Sequence, residues 1–361
     1  MSTNPVHKDS SGSKGSVLHY FYWAFAVTFF GIALGGLLGW LSTGTVAGAL
    51  KTLFICGVLA ILEISLSFDN AIVNANKLKT MRPIWRERFL TWGILIAVFG
   101  MRIVFPLAIV VVAAGVGPWE AIKMAASQPT EYSRIMQDAH LPIAAFGGTF
   151  LMLVGLGFFF DNDKDVHWVR HIETPMTRMA SIKSIEVAIV LVVIMVVSRL
   201  VDPALAPVFF KAAIWGLLTF LLVDVLGAAL DHAENAKKTA VSGGLGAFLY
   251  LEVLDASFSF DGVIGAFAIS HNLFVIAIGL GIGAMYVRSM TIMLVEQGTL
   301  AEYRYLEHGA FYAIIALSLV MFAQSFVHVP EVLAGTGGTA LILLALWSSV
   351  RIKRRESDTP Q

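Results

Sequence analysis

The chain has 361 residues, 57% of them hydrophobic and only 14% charged, with a mean hydropathy of +0.77. A soluble domain carries roughly 25% charged residues, so the composition excludes an ordinary soluble protein and points to one that crosses a membrane many times. The net charge of zero gives no basis for a nucleic-acid partner, and the single cysteine, Cys56, excludes a disulfide framework or a thiolate metal cluster.

Taken in chain order, residues 1–16 form a polar tail, and the apolar run after it is too long for a cleavable signal. Ten apolar segments are predicted near 17–41, 48–76, 88–113, 142–160, 183–201, 209–230, 244–269, 272–295, 305–327 and 333–350. Lipid offers backbone amides no partner, so each segment must be a helix. Lys and Arg set the orientation. With the N-terminus in the cytoplasm, 18 of the 25 basic residues fall inside and five outside, and Arg102 and Arg288 lie within helices. Both termini are therefore expected in the cytoplasm.

Two stretches interrupt the apolar pattern. "EISLSFDNAIVNANKL" covers residues 63–78, and "DASFSFDGVIGAFAIS" covers 255–270. An offset of 192 lays Ser67-Phe68-Asp69 on Ser259-Phe260-Asp261, and Glu63 on Asp255. The following helices place Arg102 33 residues after Asp69, and Arg288 27 after Asp261. The expected fold is all-α, about ten transmembrane helices in two five-helix repeats. Corresponding helices are five apart, an odd number, so the repeats are inverted, as in secondary transporters. The divisions are a cytoplasmic tail 1–16, a first half 17–201 with cytoplasmic loop 161–182, a second half 202–351 and a basic tail 352–361.

A carboxylate at the centre of a membrane helix costs roughly 2.5–3.5 kcal/mol on insertion scales, so four of them call for a use. At about 100° per residue, Glu63, Ser67, Asn70 and Asn74 share one helix face, and Asp69 lies on another. Asp255, Ser259 and Gly262 likewise share a face that excludes Asp261. Either the helices break near Asp69-Asn70 and Asp261-Gly262, or the acids serve different steps. Carboxylate, carboxamide and hydroxyl oxygens select hard cations such as manganese, calcium or magnesium. Asp69, Asp261, Glu63, Asp255 and Asn70 are the expected metal ligands. Arg102, Arg288, Ser67, Ser259, Asn74 and Glu252 are expected in support, the arginines as counter-charges. Asp224 and Glu186 have no matching acid in the other half. In the 161–183 connection Asp161, Asp163, Asp165, His167 and His171 read better as a solvated loop than as a metal site. Gly31, Gly35, Gly36 and Gly39 have the spacing of close helix packing.

At these motifs the chain resembles the TerC family of integral membrane proteins, within the LysE-type transporter superfamily. The resemblance rests on "SLSFDNAIV", on "SFSFDGVIGAFAI", on the Arg102 and Arg288 positions and on "YRYLEHGAFYAIIALSLVMF" at 303–322. It spans roughly 50–330 and is nearest to a bacterial branch with extra helices; the extra helices and the loop 114–141 depart from a minimal member. It implies a multi-pass protein of the cell's inner membrane, linked to tellurium resistance and to manganese efflux. The expected function is thus export of a divalent cation, manganese first and calcium second, by alternating access. No permanently bound cofactor and no enzymatic activity are expected; the partners are the metal ion and the lipid bilayer. The competing readings are a membrane scaffold with structural cation sites, and an intramembrane aspartyl hydrolase using Asp69 and Asp261.

Overall fold

The structure, a computed structural model, describes residues 17–93, 95–161, 164–182, 184–235, 244–327 and 329–358. Within helices, the side chains of 97, 98, 231–235, 261, 331–335 and 356–358 lie outside that description. Helix makes up 86% of the described residues, and no strand occurs among them. This is an all-helical membrane protein.

The helices are α1 (Val17–Thr43), α2 (Val46–Leu66), α3 (Phe68–Thr80) and α4 (Pro83–Arg88). α4 runs into π-helical stretches at Phe89–Gly93 and Ile96–Val104, and then into α5 (Phe105–Ala114). α6 (Pro118–Ser127), α7 (Pro129–Asp138), α8 (His140–Phe159), α9 (Arg170–Met179) and α10 (Ile185–Ser198) follow. The second half holds α11 (Ala206–Asn235), α12 (Leu245–Ile269), α13 (Leu273–Glu296), α14 (Thr299–Glu302), α15 (Leu306–Gln324) and α16 (Glu331–Asp358).

Local chemistry explains the boundaries. Gly44 has φ +65°, which lets the chain reverse after α1, and the Thr45 hydroxyl caps α2 by accepting the Gly48 N–H. Pro83, Pro118 and Pro129 each open a helix, where their missing N–H costs nothing. Pro106 cannot donate to the carbonyl of Arg102, and the π-helical stretch ends just before it.

Among the described residues six helices are long and apolar enough to cross a membrane: α1, α2, α8, α11 up to Leu230, α13 and α15. A seventh follows if Phe99–Ala114 and Pro118–Ser127, bent by 106°, count as one span. Ten were expected, and the other three segments differ for identifiable reasons. α10 has only 14 residues, against about 20 needed to cross the hydrocarbon. α12 carries three acids, Glu252, Asp255 and Asp261. The run expected at 333–350 begins among side chains outside the described set. The 114–141 connection, expected as a loop, folds into α6 and α7. The 1–16 tail lies outside the described residues, while α16 carries the basic tail on as helix to Asp358.

α13 packs between α1 and α2, and α8 packs between α11 and α15. α3 and α12 lie between these groups and touch each other. The glycines of α1 make the contacts their spacing predicts. A methyl on Gly35 would come within 2.8 Å of Cys56 Sγ, and one on Gly39 within 2.6 Å of the Gly48 carbonyl.

The 161–183 connection is more ordered than a solvated loop, although Asp163 lies outside the described residues. Glu173 on α9 is fully buried and accepts the N–H groups of Trp168 and Val169 at 3.2 and 3.1 Å. Lys164, His167 and His308 approach it at 3.4, 3.5 and 3.3 Å. Burial alone would raise its pKa. The His308 hydrogen bond, the Val169 N–H and the charges of His308 and Lys164 outweigh burial and hold the carboxyl at about 2, below its ordinary 4.5.

Two predictions follow from this packing. At Gly216 an added Cβ would lie 2.4 Å from the Phe146 carbonyl, whereas at Gly57 it meets nothing within 4 Å. Gly216→Ala should therefore cost about 1–3 kcal/mol and lower the Tm in detergent, while Gly57→Ala leaves it unchanged or higher. A depressed carboxyl stabilises above its unfolded pKa and loses that contribution as pH falls toward the folded value. Amide exchange across 164–179, corrected for intrinsic rate, should thus rise as pH falls from 4.5 toward 2. Glu173→Gln should show the faster exchange already at neutral pH; unchanged exchange in both cases would refute the anchoring role.

Candidate functional site

The first acidic motif is built around a break. α2 ends at Leu66, Ser67 leaves helical geometry with φ −106° and ψ 17°, and α3 begins at Phe68. The break comes two residues before Asp69. The second motif has none, because α12 runs unbroken from Leu245 to Ile269. At the head of α3 the Asp69 carboxylate accepts the Asn70 N–H at 2.9 Å, satisfying a donor freed by the break.

Glu63 is buried and paired with the equally buried Arg102 of the π-helical stretch. The Ser67 hydroxyl donates to the same carboxylate at 3.2 Å. Small residues on the facing helices make room for the pair. A methyl on Gly283 would sit 2.5 Å from Glu63 Cβ, and one on Gly262 would sit 3.3 Å from Glu63 Oε2. Across from this pair, Asn70 Nδ2 donates to Asp255 Oδ1. Arg288 does not pair with a described carboxylate; its guanidinium donates to the Leu90 carbonyl.

These groups enclose a cavity of about 50 Å³ between α2, α3, the π-helical stretch, α12 and α13. One water needs roughly 10–15 Å³, so the cavity admits several waters or a partly hydrated ion. Glu63, Asn70, Asn74 and Arg102 line one side, and Asp255, Arg288 and Thr291 line the other. Glu63 and Asp255, counterparts at the 192-residue offset, thus face one space. Asn70 Oδ1 and Asn74 Oδ1 are buried without a hydrogen-bond partner. Unpaired carboxamide oxygens beside carboxylates form a donor set that suits a hard cation.

The other expected residues lie elsewhere. Asp69 is buried on a different side of α3 and does not line this cavity. Asp261 is on α12 with its side chain outside the described set, so the structure gives no separation for the Asp69–Asp261 pair. Ser259 is buried on α12. Glu252 is half-buried, and its Oε1, which has no partner, would lie 2.8 Å from a methyl on Gly93. Among the described residues no three His, Cys, Asp or Glu side chains converge as metal ligands, so any cation held here relies on the asparagines as well. Sequence reasoning missed Thr291, although its place one turn beyond Arg288 on α13 was a usable signal.

Fold and site together define a multi-pass helical membrane protein with a buried, charged cavity between its helices. Residues 68–356 match a family model described as a protein of unknown function, DUF475, and the chain belongs to that family. No curated protein and no solved structure matches it.

The Glu63–Arg102 pair yields a direct prediction. Removing one member of a buried pair strands the other charge at a cost of about 3–5 kcal/mol, whereas removing both is often close to neutral. Arg102→Met should sharply lower the unfolding temperature in detergent, and Glu63→Leu combined with Arg102→Met should recover most of the loss. A double variant no better than the single one would refute the coupling.

Proposed function

We propose that this protein exports a divalent metal cation, manganese first and calcium second, by alternating access. One observation carries the reading: Glu63 and Asp255, matched acids of the two motifs, line one buried cavity together with two unpaired carboxamide oxygens. On this reading Glu63, Asp255, Asn70 and Asn74 supply oxygen ligands, and Arg102 balances Glu63 when no metal does. Binding then requires Arg102 to yield the carboxylate, which couples metal occupancy to movement of the π-helical stretch against α2. Asp69, which does not line the cavity, acts outside this first set of ligands.

The motif pairing supports two inverted five-helix halves in the cell's inner membrane, with both termini in the cytoplasm. The resemblance of both motifs to the TerC family supports the choice of manganese. A link to tellurium resistance is then indirect, because tellurite is an anion and the proposed ligands are oxygen donors for cations.

The test is cellular metal content by elemental analysis in a deletion strain under manganese stress. It is complemented with wild type, Glu63→Gln or Asp255→Asn at matched membrane expression. The deletion strain should accumulate manganese, wild type should restore the low level, and both variants should remain near the deletion level. Equal manganese in all strains, with calcium, magnesium and zinc unchanged, would overturn the reading.

A further inference from the structure

A second cavity, of about 500 Å³, opens between α3, α8, α11, α12 and α15. Its rim is made by Thr80 and Phe158 near the ends of α3 and α8, Ala228 on α11 and Gly246 at the start of α12. Val73, Leu153 and Phe220 line its inner part. Val73 lies seven residues before Thr80 on α3, so at about 1.5 Å per residue the crevice is roughly 10 Å deep. The rim faces the same side as Lys77, Lys79, Arg82 and Arg86, the side that the basic-residue count assigns to the cytoplasm.

Asp224 lines this crevice from within the candidate span Ala206–Leu230. It is exposed and makes no ion pair or hydrogen bond among the described residues. A carboxylate at that depth is costly in lipid, which favours water over acyl chains in the crevice. Among the described lining residues the one cation, Lys77, stands 5.1 Å from the centre of the Tyr250 ring, held to the wall by the ring's negative face. Asn76 adds a carboxamide. Val73, Asn76 and Thr80 share a stripe of α3 that continues inward to Asp69, one turn below Val73. The neighbouring flank of α3 carries Asn70 and Asn74 to the central cavity.

We propose that this crevice is the cytoplasmic entrance for a hydrated divalent cation, with Asp224 as the attracting carboxylate and the Thr80–Asn76–Val73 stripe of α3 leading inward toward Asp69. The proposal rests on the export reading for its substrate. It assigns a role to Asp224, which has no counterpart in the repeat, and it explains why Asp69 faces away from the central cavity.

The experiment is cysteine labelling of the full chain in membranes. Native Cys56 is buried, and Gly157 has open space where a side chain would begin. Gly157→Cys and Asn76→Cys are treated with the charged reagent 2-(trimethylammonium)ethyl methanethiosulfonate, in intact cells and in inside-out vesicles, with and without millimolar manganese. Labelling is expected from the cytoplasmic face only. Manganese should slow it several-fold at Asn76→Cys, and Asp224→Asn should abolish that protection. Reaction with an uncharged benzyl reagent alone would show a lipid-filled cleft and overturn the proposal. A rate indifferent to manganese, or protection that survives Asp224→Asn, would overturn it as well. Labelling is read without transport, so its failure is distinguishable from equal manganese in the complemented strains, which bears on export alone.

Discussion

The Glu63–Arg102 pair is the contact on which the centre of the molecule depends. Neither charge reaches solvent, and each would be prohibitive alone in a lipid-embedded bundle. Together they fix α2 against the π-helical stretch. Their space requires Gly262 and Gly283, because a methyl on either would crowd the glutamate. The same pair sets the electrostatics of the cavity. One carboxylate is balanced by a guanidinium, while Asp255 is met only by an amide, so the two matched acids are chemically unequal. That inequality suits a site in which an incoming cation competes with one internal partner rather than four.

Backbone irregularity brings these groups together, and it appears in the two places where the motifs need it. A regular helix through 63–76 would keep Glu63, Ser67, Asn70 and Asn74 in line, but it would free no N–H for Asp69 to accept. The interruption at Ser67 lets Asp69 accept the Asn70 N–H, so Asp69 closes the helix head instead of entering the cavity. The widened helix before Pro106 has a comparable effect on Arg102, because proline forbids the bond that a regular turn would require from residue 106 to residue 102. In the second half, α12 stays regular. α8 lies against both α11 and α15, and α15 lies also against α16.

Much of this was legible in the sequence, because helical periodicity places residues on faces. The grouping of Glu63, Asn70 and Asn74 followed from their spacing, and the 192-residue offset drew Asp255, Arg102 and Arg288 to the same centre. What remained hidden depended on contacts distant in sequence or on single-residue irregularities. Spacing put Asp69 on a separate face but could not say what that face meets. Arg288 was expected to balance an acid, yet the Leu90 carbonyl in the π-helical stretch accepts a hydrogen bond from its guanidinium. Glu173 was not singled out, because its connection read as a solvated loop. Its burial depends on His308, 135 residues away, and on two amide donors that exist only once the loop has turned.

α3 links these features. In 13 residues it carries a polar flank toward each of two cavities, and it is the least apolar of the buried helices near the centre. Such a helix gains little from burial in lipid, and its place depends on α12, α13 and α15 packed around it. It is also the element released from α2 by the Ser67 break. A short, polar helix joined to a long apolar one by a single non-helical residue can tilt without unfolding either. Its tilt would change the separation between Asn70–Asp255 on one flank and the Asp224 crevice on the other. A tilt of α3 would thus act on both cavities at once, which is what the proposed alternating access requires.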